Sequence, residues 1–139
     1  MQIAMIITGI ILAILGGLFF KARAGMKNIP VVDDDEKILT LTDKNFLHQT
    51  KNRLVLVDFW ASWCAPCRMM APVLNEVSSE LSGNSHVGKV NIEQYQSLAQ
   101  KFQVRNIPTL ILLKNGTEVN RFVGIKNKEF LLQQINKVR

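Results

Sequence analysis

Hydrophobic and polar positions divide the chain into three zones. From Met1 to Phe20 the only polar side chains are Gln2 and Thr8. Twenty residues at a helical rise of about 1.5 Å span about 30 Å, the thickness of a hydrocarbon core. That run predicts one membrane-spanning helix over residues 1–21. After a polar stretch, the pattern changes to short apolar runs alternating with helical spacings. Leu54-Val55-Leu56-Val57 and Leu110-Ile111-Leu112-Leu113 are continuous apolar runs of the kind that form strands buried on both faces. Met70, Val73, Leu74, Val77 and Leu81 recur at helical spacing until Ser82-Gly83-Asn84 stops them, and Leu98, Ala99 and Phe102 mark a shorter helix. Pro72 falls inside the first of these helices and is expected to kink it. Asn115-Gly116 between apolar runs is a two-residue hairpin signal, so the strand near Glu118–Val123 should run antiparallel to its predecessor. Asn127 is placed to cap a last helix with Leu131, Ile135 and Val138 facing inward. The order βαβαβαββα describes an α/β domain, a mixed sheet covered by helices on both sides.

The middle zone, residues 22–36, reads as a solvated linker: it holds Gly25, Pro30 and the acid run Asp33-Asp34-Asp35-Glu36. The α/β domain then occupies residues 37–139. A secretory signal peptide is the rival reading of the N-terminal run, since Ala22-Arg23-Ala24 has the small-x-small form of a cleavage site. A signal peptide carries cations before its apolar stretch, whereas here Lys21, Arg23 and Lys27 follow it, which favours an uncleaved anchor. The same cations put the domain on the cytoplasmic side of the membrane, with the periplasm as the alternative. Gly9, Ala13 and Gly17 recur every fourth residue, a spacing that lets two such helices approach closely and dimerise; small residues are also ordinary in membrane helices.

Composition narrows the function classes. At 139 residues, 47% hydrophobic and 20% charged, the chain is one domain long and is not a disordered polymer. The net charge of +6 is spread over single or paired Lys and Arg, with no basic stripe and no interleaved aromatic series, so no nucleic-acid interface is read from it. The two cysteines, Cys64 and Cys67, are too few for a disulfide scaffold and too close together to staple distant segments. Local chemistry remains. A buried strand delivers the chain to Cys64 where the next helix begins, so its sulfur faces unpaired backbone N–H groups and the positive end of the helix dipole. Both favour thiolate, the nucleophile of disulfide exchange. Cys67 lies three residues on, on the same helical face, placed to attack a mixed disulfide formed at Cys64. Pro66 restricts the first helical turn, where its missing N–H does no harm. Two alternatives stand beside this reading. A zinc site would need His48 and His86, which have no metal-type spacing; an inert structural bridge would close a ring too small to constrain the unfolded chain much. Asp58, set among Val57, Phe59 and Trp60, should have its pKa raised by burial, a mark of functional carboxyls, unless it is a carboxylate satisfied by backbone donors.

The segments Asp58-Phe59-Trp60, Trp63-Cys64-Ala65-Pro66-Cys67-Arg68, Ala71-Pro72, Ile107-Pro108-Thr109 and Lys114-Asn115-Gly116 resemble the thioredoxin family in order and separation across about residues 37–139. The resemblance implies a thioredoxin fold with Cys64 as exposed nucleophile and Cys67 as buried resolving thiol, a redox-active pair needing no other cofactor and no metal. It implies that Pro108 is cis and packs beside the disulfide. It also implies that substrate is met by Trp63, Ala65, Pro66, Ile107, Pro108, Thr109 and Gly124. Asp58 matches the acid that moves protons at the buried cysteine, and Lys89 matches the lysine that pairs with that acid. Partners implied are disulfide-containing proteins as substrates and, as electron donor, a thioredoxin reductase or a membrane electron carrier. Two features depart from the family pattern. Ala65 replaces the commonest glycine, and the membrane anchor has no counterpart in ordinary thioredoxins. No His stands between the cysteines, as it tends to in oxidising and isomerising relatives, so reduction of substrate disulfides is favoured. A redox-inactive binding or chaperone module on the same fold is the competing expectation.

Overall fold

The computed structural model describes residues 1–26 and 29–139, with the side chains of Ala4 and residues 22–28 outside the description. It divides into two units, Met1–Pro30 and Val31–Arg139. The first contains helix α1, Gln2–Met26. Its large apolar side chains, Ile3, Met5, Leu12 and Phe19 among them, are exposed. Among the described residues, which leave gaps at Ala4 and after Lys21, no helix is long and apolar enough to cross a membrane. The anchor expected over 1–21 therefore rests on the amino-acid sequence alone.

The second unit is a five-stranded mixed sheet with strand order β1-β3-β2-β4-β5. Its elements are β1 (Leu39–Thr40), α2 (Phe46–Thr50), β2 (Leu54–Trp60), α3 (Ala65–Glu80), β3 (Ser85–Asn91), α4 (Gln96–Lys101), β4 (Thr109–Lys114), β5 (Thr117–Val123) and α5 (Lys128–Val138). β1 and β2 flank β3 in parallel, while β4 runs antiparallel to both β2 and β5. The sheet is thus mixed, with helices from two directions covering it, as the order of apolar patterns predicts.

The alternation of side chains along β2 decides where the site falls. Leu54 and Leu56 point into a core built with Met70, Leu74 and Val77 of α3 and Leu131 and Ile135 of α5. Val55, Val57 and Phe59 point the other way, into a core with Phe46 of α2 and Leu98 of α4. Period two then assigns Asp58 and Trp60 to the α3 side. On β3 the same logic puts Lys89 on that side, because Val87 packs with α3 while Val90 packs opposite. Asp58 and Lys89 are also register partners across the β2–β3 pair.

Local signals set the boundaries. Asn127 accepts a hydrogen bond from the Phe130 N–H at 2.8 Å and opens α5. Asn115 and Gly116 take φ of 54° and 80°, the left-handed pair that matches strand twist in a tight hairpin. α3 continues through Pro72, which supplies no N–H to the Arg68 carbonyl. Gly88 has no room for a side chain: a Cβ there would sit 2.6 Å from Leu41 Cδ1.

The expected linker includes residues 31–36, most of them exposed. Residues 31–36 belong to the sheet unit. Asn75 of α3 donates from its amide to the Asp33 carbonyl at 2.9 Å and accepts from the Asp35 N–H at 2.9 Å. An acid run looks solvated in sequence because nothing local signals a clamp some forty residues away.

Candidate active site

β2 ends at Trp60, and Ala61, fully buried, starts a short loop to α3. Glu93 fixes that loop by accepting from the Ser62 N–H at 2.8 Å, a bond that holds the Glu93 carboxyl below the usual carboxylate range. Arg68 donates to the Ser62 carbonyl at 3.0 Å from the other side. Cys64 is the N-cap of α3, with φ −84° and ψ 104°, and its sulfur accepts from the Cys67 N–H at 3.2 Å. Helix geometry thus aims the otherwise unpaired Cys67 amide of the first turn at the Cys64 sulfur. Pro66 occupies that first turn.

Cys64 and Cys67 form a disulfide, S–S 2.15 Å and Cα–Cα 5.3 Å. The cysteines pack with Ala61 and are flanked by Trp60, Ile92 and Ile107. The family resemblance implies an exposed Cys64 beside a buried Cys67; in this oxidised form the two are 4% and 5% exposed. The asymmetry is absent from this state. The zinc alternative needs His48 and His86 beside the cysteines. His86 pairs with Val55, at the far end of β2 from the motif, and among the described residues no group of three or more His, Cys, Asp or Glu is placed to hold a metal ion.

Asp58 lies one turn of strand before this loop and is 1% exposed. Among the described residues neither of its carboxyl oxygens has a hydrogen-bond partner. The alternative of a carboxylate satisfied by backbone donors is therefore not what the fold builds. Burial pushes its pKa up from 3.8 to about 7; the Lys89 charge opposes the rise and the Asp34 charge adds to it. Lys89 is 8% exposed. Its ammonium is not on Asp58: it contacts Asp34 Oδ1 at 2.5 Å and lies 4.7 Å from the centre of the Trp60 ring. A cleft of about 200 Å³ lies between the strap at residues 31–34 and the α3 face, lined by Trp60, Cys67, Arg68, Ala71 and Lys89.

Of the other expected site residues, Ile107 packs on the cysteine pair and joins it to the start of β4. Ile107-Pro108 is a cis peptide, and the Pro108 carbonyl accepts from the Gly124 N–H at 2.9 Å. Gly124 takes φ 80°, a left-handed conformation that suits glycine. Ile107 packs against the cysteine cluster. Trp63 is 66% exposed, with Ala65 and Pro66 near it at the surface. Thr109 is buried, its hydroxyl donates to the Asn106 carbonyl at 2.6 Å, and it opens β4 as the register partner of Phe59 and Val123. Sequence reasoning missed Glu93 and Asp34. Glu93 carries no local signal, and Asp34 was masked by its acidic neighbours.

The thioredoxin family profile matches residues 37–137. A thioredoxin of Chlamydia pneumoniae is 47% identical over 97 residues, 70% of this chain and 94% of that one. A Mycobacterium bovis thioredoxin is 45% identical over 109 residues, covering 76% and 94% of the two chains. One from Bacillus subtilis (strain 168) is 43% identical over 100 residues, covering 72% and 96%.

The chain belongs to the thioredoxin family. Its CxxC pair at the mouth of α3 makes it a thiol-disulfide oxidoreductase of that family. Within the thioredoxin domain, Asp58, Lys89 and Trp60 share the α3 side of the sheet, Ile107 packs on the cysteine pair and Trp63 is exposed beside it. Residues 1–36 lie outside the part that the family profile matches.

Proposed function

We propose that the protein is a membrane-tethered thioredoxin-like reductant of protein disulfides, with Cys64 as nucleophile, Cys67 as resolving thiol and Asp58 as the proton carrier. The observation that carries the reading is the Cys64–Cys67 disulfide at a helix N-terminus, together with the buried Asp58 carboxyl, which has no hydrogen-bond partner among the described residues. In the reduced protein the Cys64 thiolate attacks one sulfur of a substrate disulfide. A mixed disulfide forms, and the other substrate sulfur leaves as thiolate and takes a proton from water. Asp58 accepts the proton of Cys67, whose thiolate then attacks the Cys64 sulfur. The Cys64–Cys67 bond forms, the second substrate sulfur leaves and is protonated, and two electrons have passed from the pair to the substrate. Exposed Trp63 with Ile107 and the Gly124 backbone offers an apolar surface for an extended substrate segment.

The tether rests on the unbroken apolar run from Met1 to Phe20 and on the exposure of its side chains in α1. Lys21, Arg23 and Lys27 after the run favour a cytoplasmic domain served by a thioredoxin reductase; a periplasmic domain would draw on a membrane electron carrier instead. Insulin-disulfide reduction tests the chemistry. Wild type is expected to turn over, Cys64→Ser to be inactive, and Cys67→Ser to accumulate a mixed disulfide with its substrate. A wild type without activity, or variants that match it, would establish a binding module instead.

A further inference from the structure

The strap at residues 31–36 brings a charge to the proton path. Asn75 holds it on both sides of Asp34, through the Asp33 carbonyl and the Asp35 N–H. Asp34 is thereby fixed with its carboxylate on the Lys89 ammonium, 2.5 Å away, and the Lys89 side chain is 10% exposed. Lys89 is also the register partner of Asp58 across β2–β3, on the same face of the sheet. A lysine so placed has two carboxyl groups within its neighbourhood. It lies on Asp34 and against the Trp60 ring, while among the described residues both Asp58 oxygens are without a hydrogen-bond partner.

An ammonium paired directly with Asp58 would hold that carboxyl ionised. We propose that Asp34 is a positioning residue for disulfide exchange: by engaging Lys89 it keeps Asp58 free to hold a proton and deliver it to Cys67. This rests on the exchange reading above. Among the described residues, the charges that act on Asp58 are those of Lys89 and Asp34. β3 contributes Lys89, and the strap contributes Asp34, with Asp33 lining the same cleft. Cys67 and Arg68 of α3 line the cleft beside Lys89, and the Arg68 guanidinium is turned to the Ser62 carbonyl. β4 places only Leu110 opposite Asp58. Asp34 acts in one direction by two routes, since it occupies Lys89 and its own negative charge opposes a second one nearby.

The step it serves is the opening of the disulfide by an incoming thiolate. The thiolate forms a new S–S bond with Cys64, the electron pair of the broken bond stays on the Cys67 sulfur, and the proton of Asp58 moves to that sulfur. Asp58 is left as carboxylate and regains a proton from water. If Asp58 is already ionised, that local proton is missing.

The test is the protonation of Asp58 in the oxidised full-length chain, followed by the infrared carbonyl stretch of its protonated carboxyl across pH, with Asp58→Asn assigning the band. Asp34→Asn is expected to lower the pH of half-protonation by about one unit, about tenfold in the acid dissociation constant. Asn75→Ala, which releases the strap, is expected to lower it in the same direction. Asp34→Glu should restore the wild-type midpoint, as should Lys89→Met placed on the Asp34→Asn background. The control Glu36→Gln, an exposed acid of the same run, should leave it unchanged. An unmoved midpoint in Asp34→Asn, or an equal fall in Glu36→Gln, overturns the proposal. The titration needs no turnover, so a wild type inactive towards insulin would sink the functional reading while leaving this measurement to be judged by itself.

Discussion

Asp58 shows how one residue ties stability to chemistry. A carboxyl sealed between sheet and helix with no donor is expensive to ionise, and its pKa rises from 3.8 to about 7. The folded state therefore binds the proton more tightly than the unfolded chain does. Its contribution to stability is complete below about pH 4 and is lost as pH rises through about 7, a swing of at most about 4 kcal/mol. Asp58→Asn cannot ionise. Its stability relative to wild type, read as urea midpoints of the oxidised proteins, is expected to grow with pH from about 4 to about 7 and level off above. A difference independent of pH would show that Asp58 has the same pKa in the fold as in the unfolded chain. On the proposed exchange chemistry, the cost is retained at a position where a proton is needed, one residue type placed against the packing rules around it.

At the scale of the element, the strand β2 and the helix α3 do most of the positioning. Six consecutive buried residues, Leu54 to Phe59, run between two cores and fix the direction in which Trp60 leaves the sheet. α3 then starts at Cys64, so strand end and helix start meet at the sulfur. The apolar run, the helical spacing, the Asn115-Gly116 hairpin and the Asn127 cap were all legible, because each is a pattern within a few residues of itself. Two substitutions test this local grammar. Asn127→Ala removes the hydrogen bond to Phe130 N–H and should destabilise the domain by about 1 kcal/mol in urea unfolding. Gly88→Ala should destabilise it by about 1–3 kcal/mol, since the new Cβ meets Leu41, which is fully buried and has little space to yield.

At the scale of the whole molecule, the two units carry different physics. Val31–Arg139 closes around two apolar cores, whereas α1 presents Ile, Leu, Met and Phe side chains outward. Exposed apolar surface of this extent marks contact with a membrane or another protein. On the tether reading, the full chain should sediment with membranes and resist alkaline carbonate extraction. A chain starting at Val31 should stay in the supernatant and keep its insulin reductase activity. Recovery of the full chain in the supernatant would remove the tether. Membrane-impermeant alkylation of reduced Cys64 in intact cells decides the side: protection until permeabilisation is expected for a cytoplasmic domain.

The amino-acid sequence by itself determined the order of strands and helices, the hairpin, the position of the cysteine pair and the burial of Asp58. These follow from periodicity, turn chemistry and helix start signals, which act over one or two turns of chain. Only the tertiary structure decided that Lys89 lies on Asp34 rather than on Asp58, that Glu93 holds the loop before Cys64, and that an acid run read as linker is clamped by Asn75. Those partners lie 31 to 55 residues apart along the chain. Which of two carboxyls takes a buried ammonium depends on distances set by the sheet register and the α3 packing, and no local pattern encodes that choice.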